Sequence, residues 1–186
     1  KIHSMCNGAN LAYERNVFYE VDGFAGINTI ASGDDMLLMH KIWKKYPDRV
    51  YYLKSKEAIV ATQPVSSWAA FFNQRIRWAS KADKYDDKRI FAVLLLVYLF
   101  NVSLVIVPIA AIFINFTSPV FYWWLLLLAA KTIIELFLLY PVAVFFNKAK
   151  LLWLFPLFQP VHILYTIIAG FLGKFGTYTW KGRKVK

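Results

Sequence analysis

Ser32-Gly33-Asp34-Asp35 sets two neighbouring carboxylates at the head of the periodic stretch "DDMLLMHKIWKKY". Two kinds of chemistry suit them. Ser32 and Asp35 stand three apart, a capping-box-like spacing, and acids in a first helical turn favour the positive end of the helix dipole. A carboxylate fixed at a helix start can equally take a proton from a hydroxyl. The spacing leaves both roles open. About forty residues later, Gln74, Arg77 and Trp78 form a Gln-x-x-Arg-Trp pattern, which helical spacing brings to one face. On an interfacial helix such an Arg meets lipid phosphates and such a Trp joins an aromatic belt. Alternatively, the guanidinium offers a planar fork to a diphosphate and the indole a flat face to a sugar ring.

These groups need elements to hold them. Met36, Leu37, Met39, His40 and Trp43 recur at helical spacing and stop before Pro47, which predicts a helix behind the acid pair. "NVFYEVDGF" predicts a short helix ended by Gly23. Asn7-Gly8 inside "KIHSMCNGANLAYER" predicts a hairpin-like strand pair, and "RVYYL" and "AIVATQ" read as short β-rich runs. Together they predict a piece of an α/β layer, too small for a core of its own. In "SSWAAFFNQRIRWASKADK", Trp68, Phe71, Phe72, Arg75 and Trp78 recur at three- and four-residue steps, as in an amphipathic helix at a membrane interface.

Beyond Arg89 the composition changes. The 186 residues are 59% hydrophobic, above the roughly 45–50% usual for soluble domains, and the excess lies after that point. Residues 89–116 and 120–146 are apolar runs long enough to span roughly 30 Å of hydrocarbon. The link "NFTSP" between them has no Lys or Arg, whereas "NKAK" after the second has two lysines, so the link is expected outside and "NKAK" in the cytosol. Residues 151–171 are apolar but carry Pro156, Gln159, Pro160 and His162; a re-entrant or interfacial course is expected over a simple third span. Lys131 and Glu135, one turn apart in the second run, either neutralise each other or line an acceptor path. His162 beside Gln159 is expected to satisfy a buried polar spot. The net charge of +11 gathers at the edges of the apolar runs (Lys81, Lys84, Lys88 and Arg89 before, Lys181, Arg183, Lys184 and Lys186 after), a placement that suits an anionic membrane surface rather than nucleic acid. One cysteine, Cys6, excludes an intrachain disulfide and a thiolate zinc cage; His3 and His40 lack metal-ligand spacing and are assigned to structure. Asn115-Phe116-Thr117 is formally a glycosylation sequon. With no initiator Met or signal peptide, the chain reads as the C-terminal part of a longer protein.

Gly-Asp-Asp, then Gln-x-x-Arg-Trp, then membrane helices: in this order the motifs resemble the membrane-bound glycosyltransferases of family 2, relatives of cellulose synthase, hyaluronan synthase and ceramide glucosyltransferase. "CNGANLAYER" resembles the strand-turn segment lining their sugar pocket, and "TYTWKGRKVK" the Trp-and-basic motif behind their last membrane-associated segment. The resemblance implies an α/β fold, the C-terminal part of a GT-A type nucleotide-sugar transferase domain, followed by membrane-embedded α-helices. It implies a partial catalytic domain over residues 1–66, an interfacial helix with the Gln-x-x-Arg-Trp motif over 67–88, a membrane region over 89–173 and a basic cytosolic tail over 174–186. Asp35 would be the base for the acceptor hydroxyl, with Asp34 supporting it or capping the helix. Gln74 and Arg77 would hold the nucleotide diphosphate and Trp78 would stack on the acceptor. Gly8 and Asn10 would shape the sugar pocket, and Trp180, Lys181 and Arg183 either close over the donor phosphates or anchor the tail at the membrane.

The implied reaction is inverting transfer of a sugar, of hexosyl type, from a nucleotide-sugar donor to a lipid or glycan acceptor, at the cytosolic face of a plasma or inner membrane. Relatives carry an Asp-x-Asp motif for the nucleotide and a divalent cation, Mg²⁺ or Mn²⁺. This chain has none, so the cation is expected to be bound mainly by a missing N-terminal half, with no metal ligands here and no activity of these residues alone. The contrasting class is a non-enzymatic membrane assembly or export subunit whose polar part is a docking module.

Overall fold

A computed structural model describes residues 6–28, 32–82, 84–85, 87–114 and 119–185. The chain divides into two compact units, residues 1–92 with 171–186, and residues 93–170.

The first unit is built around α2 (Asp34–Lys45), whose Met36, Leu37, Leu38, Met39 and His40 are all buried. With Val21, Ile76 and Tyr178 they form its apolar core. The short α1 (Arg15–Glu20) ends as the glycine signal predicts. The Gly23 N–H returns to the Phe18 carbonyl and that of Asp22 to Tyr19, the paired bonds of a Schellman motif. The left-handed residue that begins this turn is Asp22, at φ 56°, with Gly23 following at 47°. Glycine is needed at 23, because a Cβ there would lie 2.6 Å from the Phe18 ring. Lys41 of α2 ties this turn down by donating to the carbonyls of Gly23 and Ala25.

Helix α3 (Trp68–Ala79) starts at Ser67, whose hydroxyl accepts from the Ala70 N–H at 3.2 Å, a standard N-cap. Strands β1 (Tyr178–Trp180) and β2 (Arg183–Val185) pair antiparallel, with Trp180 opposite Arg183. The connecting Lys181 and Gly182 both have positive φ, 49° and 76°, as a two-residue type I′ hairpin turn requires. The basic segment after α6 therefore ends in a folded hairpin.

Two expectations about strands are corrected. "RVYYL" and "AIVATQ" form no ladder: extended backbone becomes a strand only against a hydrogen-bonded neighbour, and among the described residues none runs beside them. Tyr51, Tyr52 and Leu53 are accordingly exposed. The described part of the expected N-terminal hairpin is a 3₁₀ turn, Gly8–Asn10, because the Asn7 side chain accepts from the Ala9 N–H and caps it; residues 1–5, including His3, lie outside the described residues, as does the sequon. Among the described residues the architecture is therefore helical, with one two-stranded sheet, rather than an α/β layer.

Most of the long apolar helices lies in the second unit. The helices α4 (Lys88–Ile114), α5 (Pro119–Phe145) and α6 (Phe155–Phe175), the last continuing a 3₁₀ turn over Ala149–Leu154, provide three stretches long and apolar enough to cross a membrane. Large side chains such as Phe113, Trp123 and Phe137 face outward, the inverse of a water-soluble surface and the pattern expected in lipid. The prolines do not break α6. Pro156 sits in its first turn, where an N–H has no intrahelical partner, and only Pro160 removes a bond. In α4, Pro108 cannot donate to the Leu104 carbonyl, and the Trp124 indole N–H takes that acceptor instead at 2.8 Å. Helices α4 and α6 approach closely where Gly170 meets the Tyr98 ring; a Cβ at 170 would lie 2.6 Å from it.

Four polar residues of this unit come together. Lys131, buried, donates to both oxygens of Glu135 at 2.7 and 2.8 Å and to Gln159 Oε1 at 3.0 Å, with His162 Nδ1 at 3.5 Å. Gln159 in turn donates to Glu135 at 2.6 Å. The expected neutralisation of Lys131 by Glu135 and the buried polar role of His162 are both found, joined in one network that leaves no isolated charge.

Candidate active site

At the N-terminus of α2 the residue preceding the first helical position is Gly33, at φ 90°, and no side chain caps the helix. The capping-box expectation for Ser32 is corrected here. Its hydroxyl instead accepts from Arg77 Nη1 at 3.2 Å, because the left-handed glycine intervenes and turns Ser32 toward α3. Among the described residues Asp35 is held by backbone donors alone. Its Oδ2 accepts from the Gly8 N–H at 2.8 Å and its Oδ1 from the Met36 N–H at 2.8 Å. The carboxylate thereby fastens the 3₁₀ turn at residues 8–10 to the start of α2, and one edge stays free for a further donor. Asp34 is exposed in the first turn, where its charge suits the helix dipole.

Arg77 enters the same place from α3. Its guanidinium lies 4.0 Å over the Trp180 ring, so two segments about a hundred residues apart in sequence meet in a cation–π contact. Asn73, one turn earlier on α3, fixes the hairpin: its Nδ2 donates to the Thr179 carbonyl and its Oδ1 accepts from the Thr179 N–H, both at 2.8 Å. Gly173 of α6 lets the helix end pack closely on Ala79 and Ser80.

Burial sets the electrostatics first, with the Asp35 and Arg77 charges acting after it. Burial, and then the Asp35 charge, push the Cys6 thiol up to about 12. Tyr85 is raised by burial, then by Asp35 and Cys6. Burial lowers Arg77 from its ordinary value, opposed by Tyr178 and Asp35. Lys81 is pushed down to about 8, first by burial and then by Arg77, with Asp35 and Asp34 opposing.

Of the residues expected at the site, Gly8, Asp35, Arg77 and Trp180 come together. Asn10 does not join them, since its amide donates to the Ala58 carbonyl at 2.7 Å. Trp78 is partly exposed and has the Arg75 guanidinium over its ring at 4.4 Å. Gln74 makes no hydrogen bond among the described residues, and Lys181 and Arg183 are exposed on the hairpin. Sequence reasoning missed Asn73 and the burial of Lys81, which had been read only as one of several interfacial cations. Lys81 stands four residues after Arg77, a helical spacing that could have pointed to it.

Among the described residues no three His, Cys, Asp or Glu side chains converge to hold a metal ion, so these residues do not fit a divalent-cation site.

The sequence matches the glycosyl transferase family group 2 over residues 3–172, and the chain belongs to that family. Membership implies glycosyltransferase activity in general, with a nucleotide-sugar donor and an acceptor. Comparison with curated proteins and with solved structures gave no match.

Proposed function

We propose that this protein is an inverting glycosyltransferase, of hexosyl type, working at the cytosolic face of a membrane on a lipid or glycan acceptor. The observation that carries the reading is the junction of Asp35, fixed by the Gly8 and Met36 N–H groups, with Arg77, which reaches Ser32 three residues before it. In the proposed step the acceptor oxygen attacks the anomeric carbon, the bond from that carbon to the diphosphate oxygen breaks, and the nucleoside diphosphate leaves with the electron pair. The acceptor's proton passes to Asp35. A carboxylate is a weak base, but it needs only to accept the proton as the new bond forms. Arg77 is suited to the departing charge by its planar, permanently charged fork. Trp78 keeps an exposed indole for an acceptor ring. A divalent cation on the donor is proposed to be held chiefly by residues other than these, and no step here is routed through it.

A common side for α3 and the C-terminal hairpin has support from parity. Helix α3 and strand β1 are hydrogen-bonded, so both lie on one side of any bilayer. An even number of complete crossings must separate them, although three helices of spanning length intervene. Two spans with α6 re-entrant or interfacial meet that condition, and nucleotide sugars are expected on the side where Arg77 stands.

The test is a panel of nucleotide sugars offered to membranes containing the protein, with product analysis for the anomeric configuration and a parallel nucleotide titration of Arg77→Lys. Transfer with inversion, and weaker nucleotide binding by the lysine variant despite its retained charge, are expected. Retention of configuration, or equal nucleotide affinity, would overturn the assignment.

A further inference from the structure

Lys81 is in an unfavourable place for a lysine. The residue is 8% exposed, and among the described residues its ammonium makes no hydrogen bond or ion pair. The side chain crosses Gly33, the residue before α2: a Cβ at 33 would lie 2.8 Å from Lys81 Cδ and 3.1 Å from Nζ. The ammonium thus stands at the positive end of a twelve-residue helix, where a cation is disfavoured. The Arg77 guanidinium, a second cation, is at the adjoining Ser32. Burial, helix dipole and like charge all act against it. Arg77 uses one of its five N–H donors, and the N–H groups of Asp34 and Asp35 are unbonded among the described residues. Asp35 offsets part of this charge, yet among the described residues it makes no ion pair with Lys81, each of its oxygens accepting a backbone N–H instead.

Resting on the reading of Arg77 as the diphosphate contact, we propose that Lys81 is a second anion-binding residue of the site, and that Lys81, Arg77 and the N-terminus of α2 together receive a phosphate group of the donor and of the nucleoside diphosphate that leaves. A bound phosphate removes each source of disfavour at once. It pairs both cations, accepts the free amides and complements the dipole. Burial meanwhile pushes the unliganded ammonium down to about 8, so near neutral pH it is still charged and ready to bind.

The shared chemistry is a phosphate oxyanion, which a soluble diphosphate or a lipid headgroup could supply; the soluble diphosphate is the one proposed. The protein is reconstituted into phosphatidylcholine nanodiscs and titrated with inorganic pyrophosphate at pH 7, and again in discs containing phosphatidylglycerol. Wild type is expected to bind in both. Lys81→Met is expected to weaken binding about ten- to a hundredfold, the loss of a charge-assisted bond, while its melting temperature rises, because an unpaired buried charge has been removed. Unchanged affinity in Lys81→Met overturns the proposal, as does a fall of both affinity and melting temperature, which makes Lys81 structural. No pyrophosphate binding by wild type in phosphatidylcholine, or its loss when phosphatidylglycerol is present, overturns it in favour of the lipid. Loss of binding in Arg77→Met with Lys81→Met unaffected leaves the Arg77 reading standing and removes Lys81 alone; binding that neither variant alters fails both.

Discussion

Replacing Asn73 by alanine removes the clamp between α3 and the C-terminal hairpin. The side chain makes two bonds to the Thr179 backbone, each 2.8 Å. A neutral bond of this kind contributes about 0.5–1.5 kcal/mol net, and partial exposure favours the lower half, so the pair holds the hairpin by about 1–2 kcal/mol. At 1.4 kcal/mol per tenfold, the undocked population should rise about five- to thirtyfold. A two-stranded hairpin is marginal in water by itself, so undocking also opens the bonds between β1 and β2. Hydrogen–deuterium exchange of a peptide covering residues 176–185 reads this directly, since local opening sets the exchange rate. Exchange should quicken by that factor in Asn73→Ala while the α2 core is unchanged. Rates within twofold of wild type would refute the reasoning and mean that the Arg77–Trp180 contact holds the hairpin without Asn73.

Glu135→Gln should lower stability by about 3 kcal/mol, because it strands the buried Lys131 ammonium, and Lys131→Met with Glu135→Leu should recover most of the loss; thermal melting in detergent decides, and a single-variant loss under about 1 kcal/mol would contradict the network. Cys6, held protonated up to about 12, should be alkylated by iodoacetamide at pH 8 on the order of a hundredfold more slowly in the folded chain than in denaturant, and faster in Asp35→Asn than in wild type. Because folding raises this thiol above its ordinary value of 9.0, its contribution to stability is complete below pH 9 and is lost as the pH rises toward 12. In a Cys6→Ser background, cysteines placed at Lys56 and after the last residue should react with a membrane-impermeant maleimide from the same side, and only once cells are permeabilised; labelling from opposite sides would mean three complete crossings.

The helices were legible in the sequence because their signals are local. The period of Met36 to Trp43 marks α2, the Ser67 cap and aromatic spacing mark α3, and length with apolarity marks α4 and α5. The pairing of Lys131 with Glu135 was legible for the same reason, being one helical turn. The strands were not. "RVYYL" has strand composition, but a ladder depends on a neighbour that composition cannot supply, whereas the "TYTWKGRKV" hairpin owes its shape to two positive-φ residues and its docking to Asn73, far away in sequence. At the site, the motifs pointed to Gly8, Asp35, Arg77 and Trp180, which the fold brings together, while tertiary contact gave two other residues different partners. Ser32 turned from a cap into an acceptor for Arg77, and Asn10 turned to Ala58. For Lys81 only the four-residue step from Arg77 pointed inward, and a lysine beside an apolar run otherwise reads as interfacial until the Gly33 backbone is seen to leave it room. The carbonyl freed by Pro108 was foreseeable, but not its capture by Trp124.

The central claim is that the Asp35 carboxylate accepts the acceptor's proton while Arg77 holds the diphosphate. Asp35→Asn keeps the size of the side chain and removes its basicity. Turnover with a productive nucleotide-sugar donor should fall about a hundred- to ten-thousandfold, the usual range for a lost general base, with nucleotide binding within about twofold of wild type. Turnover within tenfold of wild type, at equal nucleotide occupancy, would contradict the account.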